Sequence, residues 1–168
     1  AKNMFIAIHD KKEDIITFPY YIDKFDDFQG TSFKFDDSLL TCNCILEGIP
    51  VLFTKKEMTD YLQATSDASK KIKTKGTIPE YWLACPLIVG ENKIGAIVVQ
   101  SYEKDNVITY EDRDLLTFVS DLIAMVIENK RLASEQLEYQ VNLENKIEDR
   151  TKELFYAKEK AESATKTK

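Results

Sequence analysis

Proline and glycine are scarce, at four and five residues in 168, and neither occurs after Gly95. Nothing in the C-terminal third therefore interrupts a helix. Cysteine occurs three times without a Cys-x-x-Cys spacing, so a reduced, cytoplasmic setting is expected. Cys42 and Cys44 stand two apart on a predicted helix with no histidine pair nearby, and no metal is expected there. The single histidine, His9, falls on a predicted strand with no Asp, Ser or Cys partner placed by sequence, which reads as a surface or turn residue rather than a haem ligand or base. Basic residues are not in excess: the formal charge is −6, which excludes nucleic acid as the expected partner and, with Lys well mixed among the acids, reads as solubility. No apolar run approaches the ~20 residues that span a bilayer, since Leu83 to Val89 stops at Gly90 and Glu91. A secretory signal is missing as well, so no membrane contact is expected for this chain. It begins at Ala1 and enters a strand within a few residues, which reads as a fragment lacking its natural N-terminal residues.

What is present suffices for one core. At 43% hydrophobic, the chain divides into a globular domain over residues 1–130 and a helical extension over 131–168. Thr109-Tyr110-Glu111-Asp112 opens the last helix, with a hydroxyl for the free N–H groups and acids for the helix dipole. Leu115, Leu116, Phe118, Val119, Leu122, Ile123, Met125, Val126 and Ile127 then form an apolar face wide enough for burial, which predicts a core helix. From about Asn129 only a narrow stripe continues, through Leu137, Val141, Leu143, Ile147, Leu154, Ala157, Ala161 and Ala164, which predicts a coiled coil. Ile147, Leu154 and Ala161 keep a seven-residue spacing, and Leu143, Arg150, Ala157 and Ala164 form the other line. Leu137 and Val141 do not keep that phase, so the stripe slips between Gln136 and Leu143. A homodimer through this helix is the expectation, with Val126, Leu137, Val141, Leu143, Ile147, Leu154 and Ala161 as its contact residues; a passive spacer is the alternative.

Upstream, Met4–His9 and Ile15–Ile22 predict an antiparallel hairpin, with Pro19 at an edge or a bulge. Residues 23–37 read as an irregular acidic and aromatic loop with an exposed Phe or two. Ser38 is the expected cap of a helix running to Glu47 and closed by Gly48. Ile49–Thr54 reads as a strand, Lys55–Gln63 as a short helix, and Ala64–Gly76 as a mobile polar stretch containing the solvated Lys70, Lys71, Lys73 and Lys75. Tyr81–Val89 and Lys93–Tyr102 are the strongest strands, joined at Gly90-Glu91-Asn92. Both are apolar on both faces, so the sheet is covered on both sides. The fold class is α+β: a mainly antiparallel five- or six-stranded sheet with helices on both faces and a long C-terminal helix extending into a coiled coil. The cover of short helices and loop is where a small-molecule cavity is most easily left. Phe18, Tyr20, Tyr21 and Trp82 are core aromatics, and Phe18, Tyr20 and Trp82 join Cys85, Gln100 and Tyr102 as candidate lining; alternation along the strands leaves open which face holds the cavity.

The run Tyr81-Trp82-Leu83-Ala84-Cys85-Pro86-Leu87-Ile88-Val89-Gly90, then Ile94 to Tyr102, then Tyr110-Glu111-Asp112-Arg113-Asp114-Leu115-Leu116, resembles the C-terminal half of a GAF domain of bacterial signalling proteins. Met4 to Asp10 and Gly48-Ile49-Pro50-Val51-Leu52 are similar to the family's first strand and to the turn into its central strand, while its first helix is missing from the chain. The tail Leu143–Leu154, followed by Ala157–Glu162, resembles the connector that precedes the phosphoacceptor domain of sensor histidine kinases. The resemblance implies a cytoplasmic small-molecule-sensing and dimerisation module, non-catalytic itself, relaying its state to a downstream kinase domain in the same chain as part of a phosphorelay. It implies no covalent bilin, because no Cys precedes a His, and leaves the ligand and any cofactor unknown. The rival readings are a Cys-dependent enzyme resembling free methionine sulfoxide reductases of the same fold, and the regulator of a diguanylate cyclase.

Overall fold

The alternating residues near the N-terminus fold into a hairpin of β1 (Asn3–Asp10) and β2 (Ile15–Ile22). The computed structural model describes residues 3–65 and 72–166, with side chains through residue 158. Ile6 pairs with Tyr20 while Ile8 pairs with Thr17, so Phe18 and Pro19 together face Ala7. Pro19, which has no N–H to give a ladder, thus sits in a bulge. The stretch 23–37 is not wholly irregular: β3 (Ser32–Lys34) pairs with Ile15–Thr17. Three residues bounded by turn-forming aspartates are too short to show a period of two, which is why the sequence reads as loop.

The helix expected from Ser38 begins one residue later. In α1 (Leu40–Glu47) the cap position is Leu39, with no side-chain cap bond, because the Ser38 hydroxyl donates instead to the Asp36 carboxylate at 2.5 Å. Strand β4 (Val51–Thr54) leads directly into α2 (Lys55–Ala64). The junction is a reciprocal cap: Thr54 N–H donates to the Glu57 carboxylate at 2.8 Å and Glu57 N–H to the Thr54 hydroxyl at 3.3 Å, satisfying donors that a helix start leaves free. Residues 66–71, including Lys70 and Lys71 of the stretch expected to be mobile, lie outside the described residues. Beyond them the chain is docked, with Ile72 buried and Lys73 bridged to Leu39.

Strands β5 (Tyr81–Val89) and β6 (Asn92–Ser101) pair along their whole length, and the antiparallel sheet runs β3-β2-β1-β6-β5-β4. Residues of even number in β5 and β6, such as Trp82, Ala84, Ala96 and Val98, meet Phe5, Ala7, α1 and α2 in one core. Those of odd number, such as Leu83, Leu87 and Ile97, are buried on the opposite face, where Cys85 Sγ lies 3.5 Å from Thr117 Oγ1 of α3 (Tyr110–Lys166). Helices on both faces complete the expected α+β architecture. Gly95 lets β6 approach β1: a Cβ there would lie 2.2 Å from the Ala7 carbonyl oxygen. Gly95→Ala is therefore expected to cost about 3 kcal/mol in urea unfolding, at the upper end of ordinary overpacking, and an unchanged midpoint would contradict this pairing.

Helix α3 starts as its sequence implies. Thr109 N–H and hydroxyl both donate to Asp112, at 2.7 and 2.8 Å, and this bonding holds the Asp112 carboxyl below its usual range. Its expected broad buried face is corrected: only a narrow strip is covered. Ser120 and Ala124 are 1% and 0% exposed, whereas Leu115, Phe118, Leu122 and Met125 are 63, 62, 44 and 49% exposed. The small residues allow close contact with the sheet, and a helix resting on a flat surface covers about one third of its circumference. The chain divides into two compact units, Ala1–Val126 and Ile127–Lys168. Within the second, Leu137, Val141, Leu143, Ile147 and Leu154 are exposed; Ala161 lies beyond the residues whose side chains are described. Among the described residues no helix is long and apolar enough to cross a membrane.

Candidate functional site

The bulge in β2 builds the site. Ordinary alternation would put Phe18, Tyr20 and Ile22 on one face, but the extra residue shifts the parity after Phe18, so Phe18 and Tyr21 are buried together while Tyr20 is exposed. Phe5 stacks on Tyr21 at 5.1 Å and meets the edge of Phe18 at 5.8 Å. Phe28 and Phe33, from the acidic segment, close the group, with Phe28 at 5.5 Å from Tyr21 and Phe33 at 5.8 Å from Phe18. The exposed Phe expected in that segment is Phe25, while Phe28, Phe33 and Phe35 are half-buried.

These rings surround a cavity of about 50 Å³ between the sheet and the start of α1, to which Trp82, Gln100, Asp26, Thr41 and Lys75 also contribute. The sheet face left open by the sequence is thus the one under α1 and the loops. Phe18, Trp82 and Gln100 of the candidate residues meet there. Tyr20 does not, for the parity reason above. Cys85 cannot share a face with Trp82, being three residues along the same strand, and points at α3. Tyr102 lies beyond the cavity, where its hydroxyl donates to the Asp23 carboxylate at 3.0 Å and it lines a separate depression with Asn3, Ser101 and Asn106.

Carboxylates lie at the cavity and beside it, together with the Lys75 ammonium. Asp23 accepts from Gln100 Nε2 at 3.2 Å, and Asp26 accepts the Thr77 N–H at 2.8 Å. Gly76 permits that contact: at φ +91° a Cβ would come within 2.7 Å of the Asp26 carboxylate. Burial first, and then the charges of Asp23, Asp26 and Asp27, push the Tyr21 phenol above its ordinary range; burial and Asp23 do the same to Tyr102. Burial, the larger cause, disfavours charge of either sign there, and the neighbouring carboxylates add to that for an anion. Phe5, Tyr21, Asp26, Phe28, Phe33 and Lys75 are absent from the sequence-based candidates. Phe5 carries a signal in its alternation in β1 and Tyr21 reads as a core aromatic; the others depend on how the loops close.

The thiols are unsuited to nucleophilic work. All three are buried and unpaired by disulfides, and burial raises each, Cys44 up to about 12, away from the thiolate that reacts. A raised thiol supports folding below the unfolded value of about 8.5 and loses that support as pH climbs toward 12. The wild-type chain should thus lose stability above pH 9 more steeply than Cys44→Ala, by about 1.4 kcal/mol per pH unit, in urea midpoints measured between pH 8 and 11. Parallel slopes would contradict the burial of Cys44. His9 stacks on Phe35 at 3.8 Å, with Nε2 3.7 Å from the Asp14 carboxylate, and among the described residues no His, Cys, Asp and Glu cluster could hold a metal ion.

A family model for the GAF domain matches residues 1–128. No curated protein matches the chain. Among solved structures it is similar to the GAF domain of a phosphoenolpyruvate-protein phosphotransferase from Coxiella burnetii, at 15% identity over 80% of this chain and 76% of that one, with a TM-score of 0.60. It is also similar to the GAF domain of a two-component sensor histidine kinase from Bacillus halodurans, at 10% identity over 79% and 84%, TM-score 0.55. A type II free methionine-R-sulfoxide reductase from Thermoplasma acidophilum is similar at 15% identity over 76% and 79%, TM-score 0.53.

Proposed function

The chain belongs to the GAF domain family, and from that premise we propose that it is the ligand-sensing and dimerising domain of a sensor histidine kinase, working as a pair of chains joined along α3. The observation that carries this reading is the exposed stripe of Leu115, Phe118, Leu122 and Met125. Leu115 and Leu122 stand seven apart, as do Phe118 and Met125, which is the spacing of a helix paired with a helix. Apolar side chains gathered on one strip in this way mark a surface that meets a partner. In the sequence, the line through Leu115 and Leu122 passes in steps of seven through the polar Asn129 and Gln136 and reaches Leu143, Arg150 and Ala157. Its companion line changes: Phe118 and Met125 follow it by three residues, whereas Ile147 and Leu154 follow it by four. Such a phase change alters the local winding of a paired helix and supports two packings between which a bound ligand could choose.

The kinase output is supported by the likeness of Leu143–Leu154 to kinase connectors and by the presence, among the similar structures, of the GAF domain of a sensor histidine kinase. The reductase alternative requires a thiolate, and the burial of all three cysteines weighs against it. Light scattering of the chain at micromolar concentration is expected to give the mass of two chains. A strict monomer over the accessible concentration range would overturn the dimer reading.

A further inference from the structure

A cation already rests against two of the cavity's rings. Lys75 places its ammonium 3.2 Å from the centre of the Phe33 ring and 5.8 Å from that of Phe28, both within the distance at which a ring face attracts positive charge. Lys75 also stands on a boundary. With Phe33, Leu39 and Thr74 it lines both the 50 Å³ cavity and, on its other side, an open groove of about 730 Å³ that reaches Asp36 and Asp37. The cavity as it stands is far below the ~300–1,000 Å³ of ordinary ligand pockets, and the lysine side chain separates it from the space outside. Lys75 is exposed, so moving its side chain aside sacrifices little packing.

We propose that the box formed by Phe5, Phe18, Tyr21, Phe28 and Phe33, with the Asp26 carboxylate on its wall, is a receptor for a small organic ammonium cation, and that Lys75 occupies the cation's place until the ligand displaces it. The inference rests on the ligand-sensing reading and supplies the chemistry of the ligand. Ring faces carry the negative side of the aromatic quadrupole and do not require a hydrogen-bond donor, so an alkylated ammonium, which has shed its N–H groups and much of its hydration, competes there with the better-hydrated primary amine of lysine. The nearby Asp23, Asp26 and Asp27 add an attraction that an anionic metabolite would meet as repulsion. Displacing Lys75 would move the residues 72–76 that dock beside α1, a route by which occupancy alters the cover of the sheet.

The test uses the fluorescence of Trp82, the single tryptophan, which lines the same cavity. Choline chloride, titrated into the whole chain at constant ionic strength, is expected to bind at least tenfold more tightly than 3,3-dimethylbutan-1-ol, its uncharged isostere. Lys75→Gln should tighten choline several-fold by removing the internal competitor, and Phe33→Leu should weaken it about tenfold while circular dichroism reports an intact fold. Equal binding of the two probes would show an apolar pocket without charge preference and overturn the proposal. So would the absence of choline binding by both wild type and Lys75→Gln, and unchanged affinity in Lys75→Gln would overturn the place-holding role. Light scattering on the same samples reads pairing separately, so a failure of cation binding is distinguishable from a failure of the dimer reading.

Discussion

Leu122→Glu should turn the dimer into a monomer, raising its dissociation constant by at least about 100-fold, or ~2.7 kcal/mol, in sedimentation velocity across a concentration series. Leu122 lies in the middle of the exposed stripe on α3, one turn from Phe118 and from Met125. In a pair of parallel helices the two copies of such a residue meet, so the substitution sets two carboxylates against each other in an apolar contact and removes both leucines from it. Folding of the sheet domain should be almost untouched, because Leu122 is exposed in the single chain. Asp121→Lys, on the adjacent polar surface, is the matched control and should leave the mass at two chains. A Leu122→Glu chain that stays dimeric would move the contact away from this stripe.

Trp82→Ala should lower unfolding stability by about 3–5 kcal/mol, the usual range for emptying a large aromatic site, and the melting temperature by roughly 10 °C for a chain of this size. Trp82 is buried, is paired with Phe53 on one side and Gln100 on the other, and has its ring 6.3 Å from that of Phe53. It therefore ties β4, β5 and β6 together under α1 and α2, and its removal enlarges the cavity that those elements cover. Trp82→Phe keeps most of the volume and should cost less than half as much. A small loss on truncation to alanine would mean that the core does not depend on this side of the sheet.

The parts of the molecule that were legible in the sequence are those with long periodic signals. The hairpin of β5 and β6, the first hairpin and the Thr109 start of α3 are each announced by eight or more patterned residues or by a cap chemistry with one geometry. Pro19, which cannot join a ladder, announces the bulge, but the exchange of Tyr20 for Tyr21 in the cavity wall depends on where the inserted residue falls. Pairing Cys85 with Trp82 in one site was excluded by strand parity alone. The Thr54-Lys55-Lys56-Glu57 cap was also present in the sequence. Other features had no local signature. Strand β3 depends on β2 for its existence, the closing of Phe28 and Phe33 over the cavity depends on three turns, and the contact of Lys75 with Phe33 joins residues 42 positions apart in the chain. On α3, periodicity marks an apolar side of a helix without saying what covers it: Leu115, Phe118, Leu122 and Met125 are exposed, and the covered strip runs through Ser120 and Ala124.

Pairing of two chains along α3 is tested most directly by oxidative crosslinking of single introduced cysteines, since the three native thiols are buried and do not compete. Leu122→Cys at micromolar concentration is expected to give a covalent dimer in high yield, while Asp121→Cys, one residue along and off the stripe, gives little. Equal yields at the two positions, or none at either, would contradict the pairing.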